Sequence, residues 1–243
     1  MIIGLGMPHV GDVYGELESN HIMIGYDIGR HPDVEHLRMF DVQNVFPFDK
    51  ARICLMDSAI RYECDYLLFV DADVQVPLGG FKALLKAIRD CKAQAVSGHY
   101  RRRGHPFTSV WTKQINDQTY AQVDASEGIH QICASGLGCC LIDVKWVKEN
   151  MEEPYFDLGR KENGNYIWED AYFFSKMKLH GGLLLGHAGV RCGHVMSTRK
   201  VVCDENWEDM LKDSTSIIVD GVDGYTENVS MKPCKDDCLV SEK

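Results

Sequence analysis

A chain of 243 residues suits a single α/β domain, and its composition is that of a globular protein. It contains 45% hydrophobic and 9% aromatic residues with only seven prolines, which excludes a disordered chain. The formal charge of −10 argues against tight binding to a nucleic-acid backbone, and it is concentrated after residue 202, where eleven acidic residues stand against four lysines.

The sequence indicates neither a membrane span nor a disulfide framework. No run approaches the roughly 20 apolar residues that a transmembrane helix needs. The ten cysteines are scattered through apolar segments, as reduced and buried thiols usually are. We therefore expect a soluble, cytoplasmic protein in a reducing compartment.

Strands and helices alternate in the first hundred residues. Residues 1–7 predict a buried strand that runs into a turn at Pro8 and Gly11, and residues 21–26 predict a second strand that ends at Asp27. Only a short helix, or none, fits between these two strands. The apolar spacing then predicts helix 50–63, strand 66–70, helix 78–90 and strand 93–99. Parallel strands joined by helices are the economical arrangement of such a series.

The pattern changes after residue 100. Two short β-like pieces, 107–112 and 119–123, predict a small antiparallel addition. The elements predicted after them are strand 139–142, helix 168–180 and strand 183–185. From about residue 196 the periodicity weakens, so we interpret residues 196–243 as an acidic C-terminal extension.

Two carboxylates follow the most apolar of these strands. Asp71 and Asp73 come directly after residues 66–70, at the strand end where open α/β sheets collect ligands. Acids at positions i and i+2 project to one side of an extended chain and can hold Mg²⁺ or Mn²⁺ against substrate phosphates. An isolated Asp-x-Asp pair more often caps the next helix or lies in a solvated turn, so the surrounding sequence decides its meaning.

That surrounding sequence, Leu-Leu-Phe-Val-Asp-Ala-Asp before a proline-started helix, resembles the Asp-x-Asp element of GT-A glycosyltransferases, particularly the family 2-like enzymes. Further elements that resemble this family follow in its order, namely the turn Gly136-Leu137-Gly138, the helix start Glu169-Asp170 and the histidine His194. Each element alone has an ordinary structural explanation, and their common order favours the family. The resemblance extends over residues 1–195.

The resemblance implies an α/β GT-A fold, with a Rossmann-like mixed central sheet flanked by helices and a small antiparallel β addition. It implies one catalytic domain over residues 1–195. The nucleotide-binding half would comprise about residues 1–99 and the acceptor half about residues 100–195.

A divalent cation, Mn²⁺ or Mg²⁺, is the implied cofactor. Its ligands would be Asp71, Asp73 and His194, with His187 as the alternative histidine. The implied donor-binding residues are Pro8, Gly11, Asp27, Arg52, Asp71, Ala72 and Asp73. Arg52 could equally be an ion-paired residue at a helix start. The arginines at 101–103 could counter diphosphate charge, lie in a solvated loop or meet an anionic acceptor.

Asp170 is the implied catalytic base, with Glu169 beside it. A carboxylate at a helix N-terminus is favoured in its ionised form by the helix dipole and can take a proton from an acceptor hydroxyl. The residues implied to contact the sugar or the acceptor are Gly136, Leu137, Gly138, Trp168 and Glu169.

The implied activity is metal-dependent transfer of a sugar from a nucleoside-diphosphate sugar to a hydroxyl of a glycan or glycoconjugate. A UDP-sugar is favoured as the donor, and a GDP-sugar is the other option. Inversion with Asp170 as the base and retention with Asp170 positioning the acceptor both remain open. Two alternatives are a noncatalytic nucleotide-sugar- or glycan-binding protein on the same fold and a metal-dependent nucleotidyl- or phosphotransferase. No nucleic-acid or membrane partner is indicated.

Overall fold

The computed structural model describes residues 1–9, 15–104, 106–116, 119–160, 166–196 and 201–209. The helices in these ranges are α1 (Gly15–Gly29), α2 (Phe48–Arg61), α3 (Gly80–Asp90), α4 (Val144–Asn150) and α5 (Glu169–Leu179). The strands of the first half are β1 (Ile2–His9), β2 (His36–Gln43), β3 (Tyr66–Val70), β4 (Val74–Gln75), β5 (Ala95–His99), β6 (Thr112–Asn116) and β7 (Thr119–Gln122). Those of the second half are β8 (Ile129–Gln131), β9 (Cys139–Asp143), β10 (Gly159–Arg160), β11 (Tyr166–Ile167), β12 (Leu184–Arg191), β13 (Gly193–Val195) and β14 (Val201–Val202).

A seven-stranded mixed sheet forms the centre of the molecule, with the strand order β2-β1-β3-β9-β5-β12-β8. Strands β2, β1 and β3 are parallel, and so are β5 and β12, whereas β9 lies antiparallel between β3 and β5. Helix α1 packs beside α3, and α2 packs beside α4. Smaller antiparallel sheets join β6 to β7, β10 to β11, and β14 through β13 to β4. The predicted mixed α/β architecture with a small antiparallel addition is confirmed.

Strand β3 carries the candidate carboxylates to the edge of the sheet. Its residues Leu67 to Val70 are fully buried, because β1 and β9 pair with it on both sides and helices cover the sheet. The chain leaves the core at Asp71, whose N–H donates to the carbonyl of Gly138 at 3.1 Å. Asp71 is therefore held next to the glycine turn that precedes β9.

The predicted strand over residues 21–26 is wrong, because these residues lie in α1. The side chains of this helix that face the core recur at i, i+4, i+7 and i+11, and they are Leu17, His21, Ile24 and Ile28. This is helical spacing. The run was mistaken for a strand because Ile22, Met23 and Tyr26 are apolar although they lie on the exposed face. The full helix between the first two strands also corrects the expectation of a short or missing one.

The second strand of the sheet is β2, which pairs in parallel with β1 and forms one edge of the sheet. Asp27 consequently does not end a strand. It lies near the end of α1, where its Oδ2 accepts the N–H of Gly79 at 3.1 Å. Pro8 lies within β1 opposite Val42 and not in a turn, and Gly11 lies outside the described residues.

The described residues after 195 pair with and pack against the rest of the protein. Strand β14 pairs with β13, and Val202 is completely buried opposite His194. The segment 196–243, which we interpreted as an extension, thus begins with residues that complete a small sheet. In the described ranges no helix has the length and apolarity required to cross a membrane.

The assignment of α1 predicts different effects for two isoleucines that would share one face of a strand. Ile24 is 4% exposed and Ile22 is 70% exposed. We expect Ile24→Ala to lower the free energy of unfolding by about 2–5 kcal/mol because it opens a cavity in the core. Ile22→Ala should change it by less than about 0.5 kcal/mol. Urea unfolding of both variants checks this, and equal losses would contradict the helix.

Candidate active site

A buried arginine neutralises the negative charge of Asp71, the first carboxylate after β3. Arg52 projects from α2, and its Nη2 donates to Asp71 Oδ1 at 2.6 Å. The residue is only 4% exposed, and its guanidinium lies 5.1 Å from the centre of the Phe69 ring. Burial lowers the pKa of Arg52, but the charges of Asp71 and Glu169 outweigh that effect and raise it. Arg52 therefore remains a cation.

The Arg52 guanidinium also has unused donors. Among the described residues, its Nε and Nη1 atoms have no hydrogen-bond partner. A buried, charged donor without a partner costs free energy, so it is usually satisfied by water or a ligand. Arg52 thus offers two donor atoms to an acceptor that enters the end of β3.

Asp73 and His194 face each other. His194 Nε2 lies 3.5 Å from Asp73 Oδ1, and Arg103 Nη1 lies 2.7 Å from Asp73 Oδ2. His194 Nδ1 is 2.7 Å from the carbonyl oxygen of Arg101. Because a carbonyl only accepts hydrogen bonds, Nδ1 carries a proton and donates it. Burial raises the pKa of Asp73, but the hydrogen bond to His194 and the charge of Arg103 hold it below its ordinary value.

This arrangement fits a divalent cation. Because Nδ1 donates to the Arg101 carbonyl, Nε2 is the ring atom of His194 left to bind a cation, and it lies 3.5 Å from the carboxylate of Asp73. Metal-binding histidines almost always donate their other ring N–H to a carbonyl or carboxylate, as His194 does. A carboxylate and an imidazole together suit Mn²⁺-like ions.

The two carboxylates are not arranged as on an extended chain. Val74 donates its N–H to the Asp71 carbonyl at 3.0 Å, which closes a turn around Ala72. Asp71 consequently pairs with Arg52, and Asp73 pairs with Arg103. The extended chain that the sequence analysis assumed for these residues is therefore wrong, and the two carboxylates have different ion-pair partners.

A tighter cluster of metal-type ligands lies elsewhere. In the described part of the chain, ligand atoms of His99, Asp124 and Asp204 lie within 4.8 Å of one another. Arg101 occupies the centre of this cluster, with Nε 2.9 Å from Asp204 Oδ1 and Nη2 2.9 and 2.8 Å from the two oxygens of Asp124. The guanidinium already supplies the positive charge that these carboxylates require. We interpret the cluster as an ion-pair network.

The acidic pair at the start of α5 shares the electrostatic environment of Asp71. Burial is the main cause that raises the pKa of Asp170, and the charge of Asp71 adds to it, whereas Arg52 and Arg102 act in the opposite direction. Burial and the charge of Asp170 similarly raise the pKa of Glu169. Trp168, immediately before them, is 62% exposed. The predicted base therefore lies close enough to Asp71 and Arg52 for their charges to act on it.

The glycine turn makes room for a tyrosine that the sequence analysis missed. Tyr100 is buried, and its hydroxyl accepts the N–H of Gly138 at 2.9 Å. A Cβ on Gly136 would lie 2.2 Å from this hydroxyl, and one on Gly138 would lie 2.8 Å from it. Leu137 between them is buried in the core. Tyr100 follows a predicted strand as Asp71 does, so the strand-end argument could have identified it.

Tyr100 also contacts the predicted metal ligand. Its ring meets the ring of His194 edge to face, with the ring centres 5.3 Å apart. Burial raises the pKa of Tyr100 well above its ordinary value, so the hydroxyl stays neutral. The histidine beside Asp73 is His194, while His187 lies on β12 and its Nδ1 accepts the N–H of Gly189 at 3.2 Å.

A histidine–aspartate pair that the sequence analysis missed lies near the ends of β1 and β2. His9 Nε2 lies 2.8 Å from Asp41 Oδ1, and Gln43 donates to Asp41 Oδ2 at 3.1 Å. These residues occupy the strand-end position that the sequence analysis gave to Asp27. The error followed from reading α1 as the second strand.

Comparison with solved structures shows which known proteins share this fold. A crystal structure of A197 from STIV matches with a TM-score of 0.57 and 19% identity, over 84% of this chain and 94% of that chain. A crystal structure of GalNAc-T7 with UDP, GalNAc and Mn²⁺ matches with a TM-score of 0.54 and 13% identity. That match covers 79% of this chain but only 42% of GalNAc-T7. The chain has a GT-A fold. No protein-family model and no curated protein sequence matches it.

The packing of Gly136 against Tyr100 predicts a non-additive pair of substitutions. Gly136→Ala should lower the free energy of unfolding by about 1–3 kcal/mol, because its Cβ would overlap the hydroxyl. In the double variant with Tyr100→Phe, the nearest remaining atom is the ring carbon at 3.1 Å, so the additional loss from Gly136→Ala should be smaller than in the wild type.

Urea unfolding of the two single variants and the double variant measures this coupling. Gly104→Ala is the matched control, since a Cβ at Gly104 would meet nothing within 4 Å. Additive losses in the double variant would show that Gly136 does not depend on Tyr100.

Proposed function

We propose that this protein is a metal-dependent glycosyltransferase of the GT-A, family 2-like Asp-x-Asp type. It transfers a sugar from a nucleoside-diphosphate sugar, with UDP-sugar favoured over GDP-sugar, to a hydroxyl of a glycan or glycoconjugate. The observation that carries the proposal is the pair of potential metal-binding groups beside β4, where His194 Nε2 lies 3.5 Å from Asp73 Oδ1 while Nδ1 is bound to a carbonyl. The fold is also that of a protein crystallised with UDP, GalNAc and Mn²⁺.

The residues Asp71, Asp73 and His194 would hold Mn²⁺ or Mg²⁺. A bound cation of this kind offsets the negative charge on a departing diphosphate. Arg103 now provides a positive charge at Asp73, and its side chain is about half exposed, so it is free to move aside. This set of oxygen and imidazole ligands suits either ion.

The protein's own cations would bind the diphosphate and its sugar. Arg52 is pre-positioned by burial and can donate from Nε and Nη1, which lack partners among the described residues. The backbone at Ala72 lies in the turn between the carboxylates and can approach the donor closely. At the other strand ends, His9 and Asp41 present hydrogen-bonding groups suited to a nucleoside.

Asp170 would act as the base. The acceptor hydroxyl gives its proton to the Asp170 carboxylate as its oxygen bonds to the anomeric carbon, and the bond from that carbon to the diphosphate oxygen breaks. The nucleoside diphosphate leaves with the electron pair. A raised pKa makes Asp170 a stronger proton acceptor than an exposed aspartate. Trp168 and the turn at Gly136 would line the sugar and acceptor space, and Glu169 would contact the sugar or acceptor.

The donor is identified by incubating the purified protein with UDP-, GDP- and dTDP-sugars and either Mn²⁺ or Mg²⁺. We expect metal-dependent release of the nucleoside diphosphate from one donor, since slow hydrolysis needs no acceptor. Asp73→Ala and His194→Ala should abolish this release. Asp90→Ala is the control, because Asp90 is exposed and pairs with Lys86 on α3.

Three other results would contradict the proposal. Binding of a donor without release would favour a noncatalytic binding protein. Release of pyrophosphate or of a nucleoside monophosphate would favour a nucleotidyl- or phosphotransferase. Neither binding nor release with any donor would remove the basis for a nucleotide-sugar site.

The assignment of Asp170 as the base predicts how the rate of the reaction depends on pH. Asp170 must be deprotonated, and its pKa is raised from the ordinary 3.8, so kcat/KM should fall as the pH drops through a value above 3.8. Asp170→Asn should reduce kcat by about 10²–10⁴-fold. Arg102→Gln removes a positive charge that lowers this pKa, so the acidic limb should move to higher pH.

The pH profile of donor turnover measures both effects. Arg30→Gln removes the same charge at a site where the guanidinium contacts Tyr26, and it should leave the acidic limb in place. An acidic limb that does not respond to Arg102→Gln would argue against Asp170 as the titrating group.

A further inference from the structure

Arg101 is a buried residue with an unusually complete set of partners. Its Nε donates to Asp204 Oδ1 at 2.9 Å, and its Nη2 donates to both oxygens of Asp124. Its Nη1 donates to the carbonyl of Phe107 at 3.2 Å. The ring of Trp207 lies against the guanidinium, 4.1 Å from its central carbon. We call Arg101, Asp124, Asp204 and Trp207 the Arg101 clamp.

Asp204 is the link between the clamp and the segment after β14. Its second oxygen is 2.9 Å from His99 Nδ1, and the other nitrogen of His99 is 3.0 Å from the hydroxyl of Ser109. Burial raises the pKa of Asp204, but His99, Arg101 and Arg191 outweigh it and hold the pKa below its ordinary value. Asp204 is therefore ionised and fixed by basic groups on several sides.

The clamp is connected to the candidate metal site through one residue. The side chain of Arg101 is held by Asp204, while the backbone carbonyl of Arg101 accepts the Nδ1–H of His194 at 2.7 Å. His194 also pairs with Val202 across β13 and β14, two residues before Asp204. Residues 202–204 thus contact His194 in two ways. Val202 pairs with it across the small sheet, and Asp204 fixes the residue whose carbonyl is bound to the His194 ring.

We propose that Asp204 is a positioning residue for His194. By fixing Arg101, it holds the carbonyl that is bound to Nδ1 of His194, and so it keeps the ring oriented with Nε2 toward Asp73. Trp207 assists by packing on the same guanidinium. The inference rests on the proposed function, because it assigns these residues to the support of the metal site. A purely structural ion pair would stabilise the fold without affecting His194.

The test uses the whole protein without a sugar donor. Mn²⁺ binding is measured by titration calorimetry or by the electron paramagnetic resonance of free Mn²⁺. We expect Asp204→Asn to weaken Mn²⁺ binding by about 10–100-fold, the usual effect of removing an outer partner of a metal-binding histidine. In the metal-free protein, the nuclear Overhauser effects between the His194 and Tyr100 rings, whose centres are 5.3 Å apart, should weaken.

Two further variants separate positioning from stability. Trp207→Leu removes the ring from Arg101 without changing the charge, and it should weaken Mn²⁺ binding in the same direction even if Asp204→Asn does not fold. Ile24→Ala is the matched control, because it removes a buried core side chain on α1 and leaves the side chains of the clamp unchanged. Its Mn²⁺ affinity and His194 signals should equal those of the wild type.

The possible outcomes are distinct. If the wild type binds Mn²⁺ and the clamp variants bind it equally well while melting earlier, the positioning role is wrong and the proposed function stands. Equal weakening in the clamp variants and in Ile24→Ala would also reject positioning, since instability alone would explain it. If the wild type binds no Mn²⁺ and releases no nucleoside diphosphate, the proposed function fails and the positioning role fails with it.

Discussion

The structure of the site depends on compensating negative charge at the end of a buried strand. β3 is covered on both faces, and it places Asp71 and Asp73 where the apolar core ends. An uncompensated carboxylate at such a place costs several kcal/mol, so each one requires a cation or hydrogen-bond donors nearby. Arg52 and Arg103 supply this charge, and His194 faces the second carboxylate. Much of the local architecture follows from where these cations are anchored.

The three consecutive arginines after β5 show how differently one basic run can be used. Arg101 turns inward and is fixed by Asp124 and Asp204. Arg102 is exposed, and its charge lowers the pKa of Asp170. Arg103 pairs with Asp73. None of the roles considered from the sequence alone describes all three arginines. Arg101 is a buried ion-pair residue, Arg102 acts on Asp170 by its charge, and Arg103 pairs directly with Asp73.

The central part of the fold was predictable from sequence. The apolar run at 66–70, the helical spacing around it and the strand at 139–142 are strong local patterns, and β3, α2, α3 and β9 follow them. The failure at residues 21–26 has a simple cause. Periodicity identifies the buried face only when the exposed face is polar, and α1 has apolar residues such as Ile22 on both faces. Because of that error, the sequence analysis assigned Asp27 to a strand end and did not identify Asp41 as a strand-end residue.

By itself the sequence determined the order of the candidate residues Asp71, Asp73, Asp170 and His194, because that order can be read directly along the chain. Only the tertiary structure decided what each of them faces. The carbonyl that orients His194 lies 93 residues away in sequence, and the carboxylate that fixes Arg101 lies 103 residues away. Such pairs arise where strands from distant parts of the chain meet at one edge of a sheet. No periodicity or spacing records them, because their free energy comes from burial and charge compensation in the assembled core.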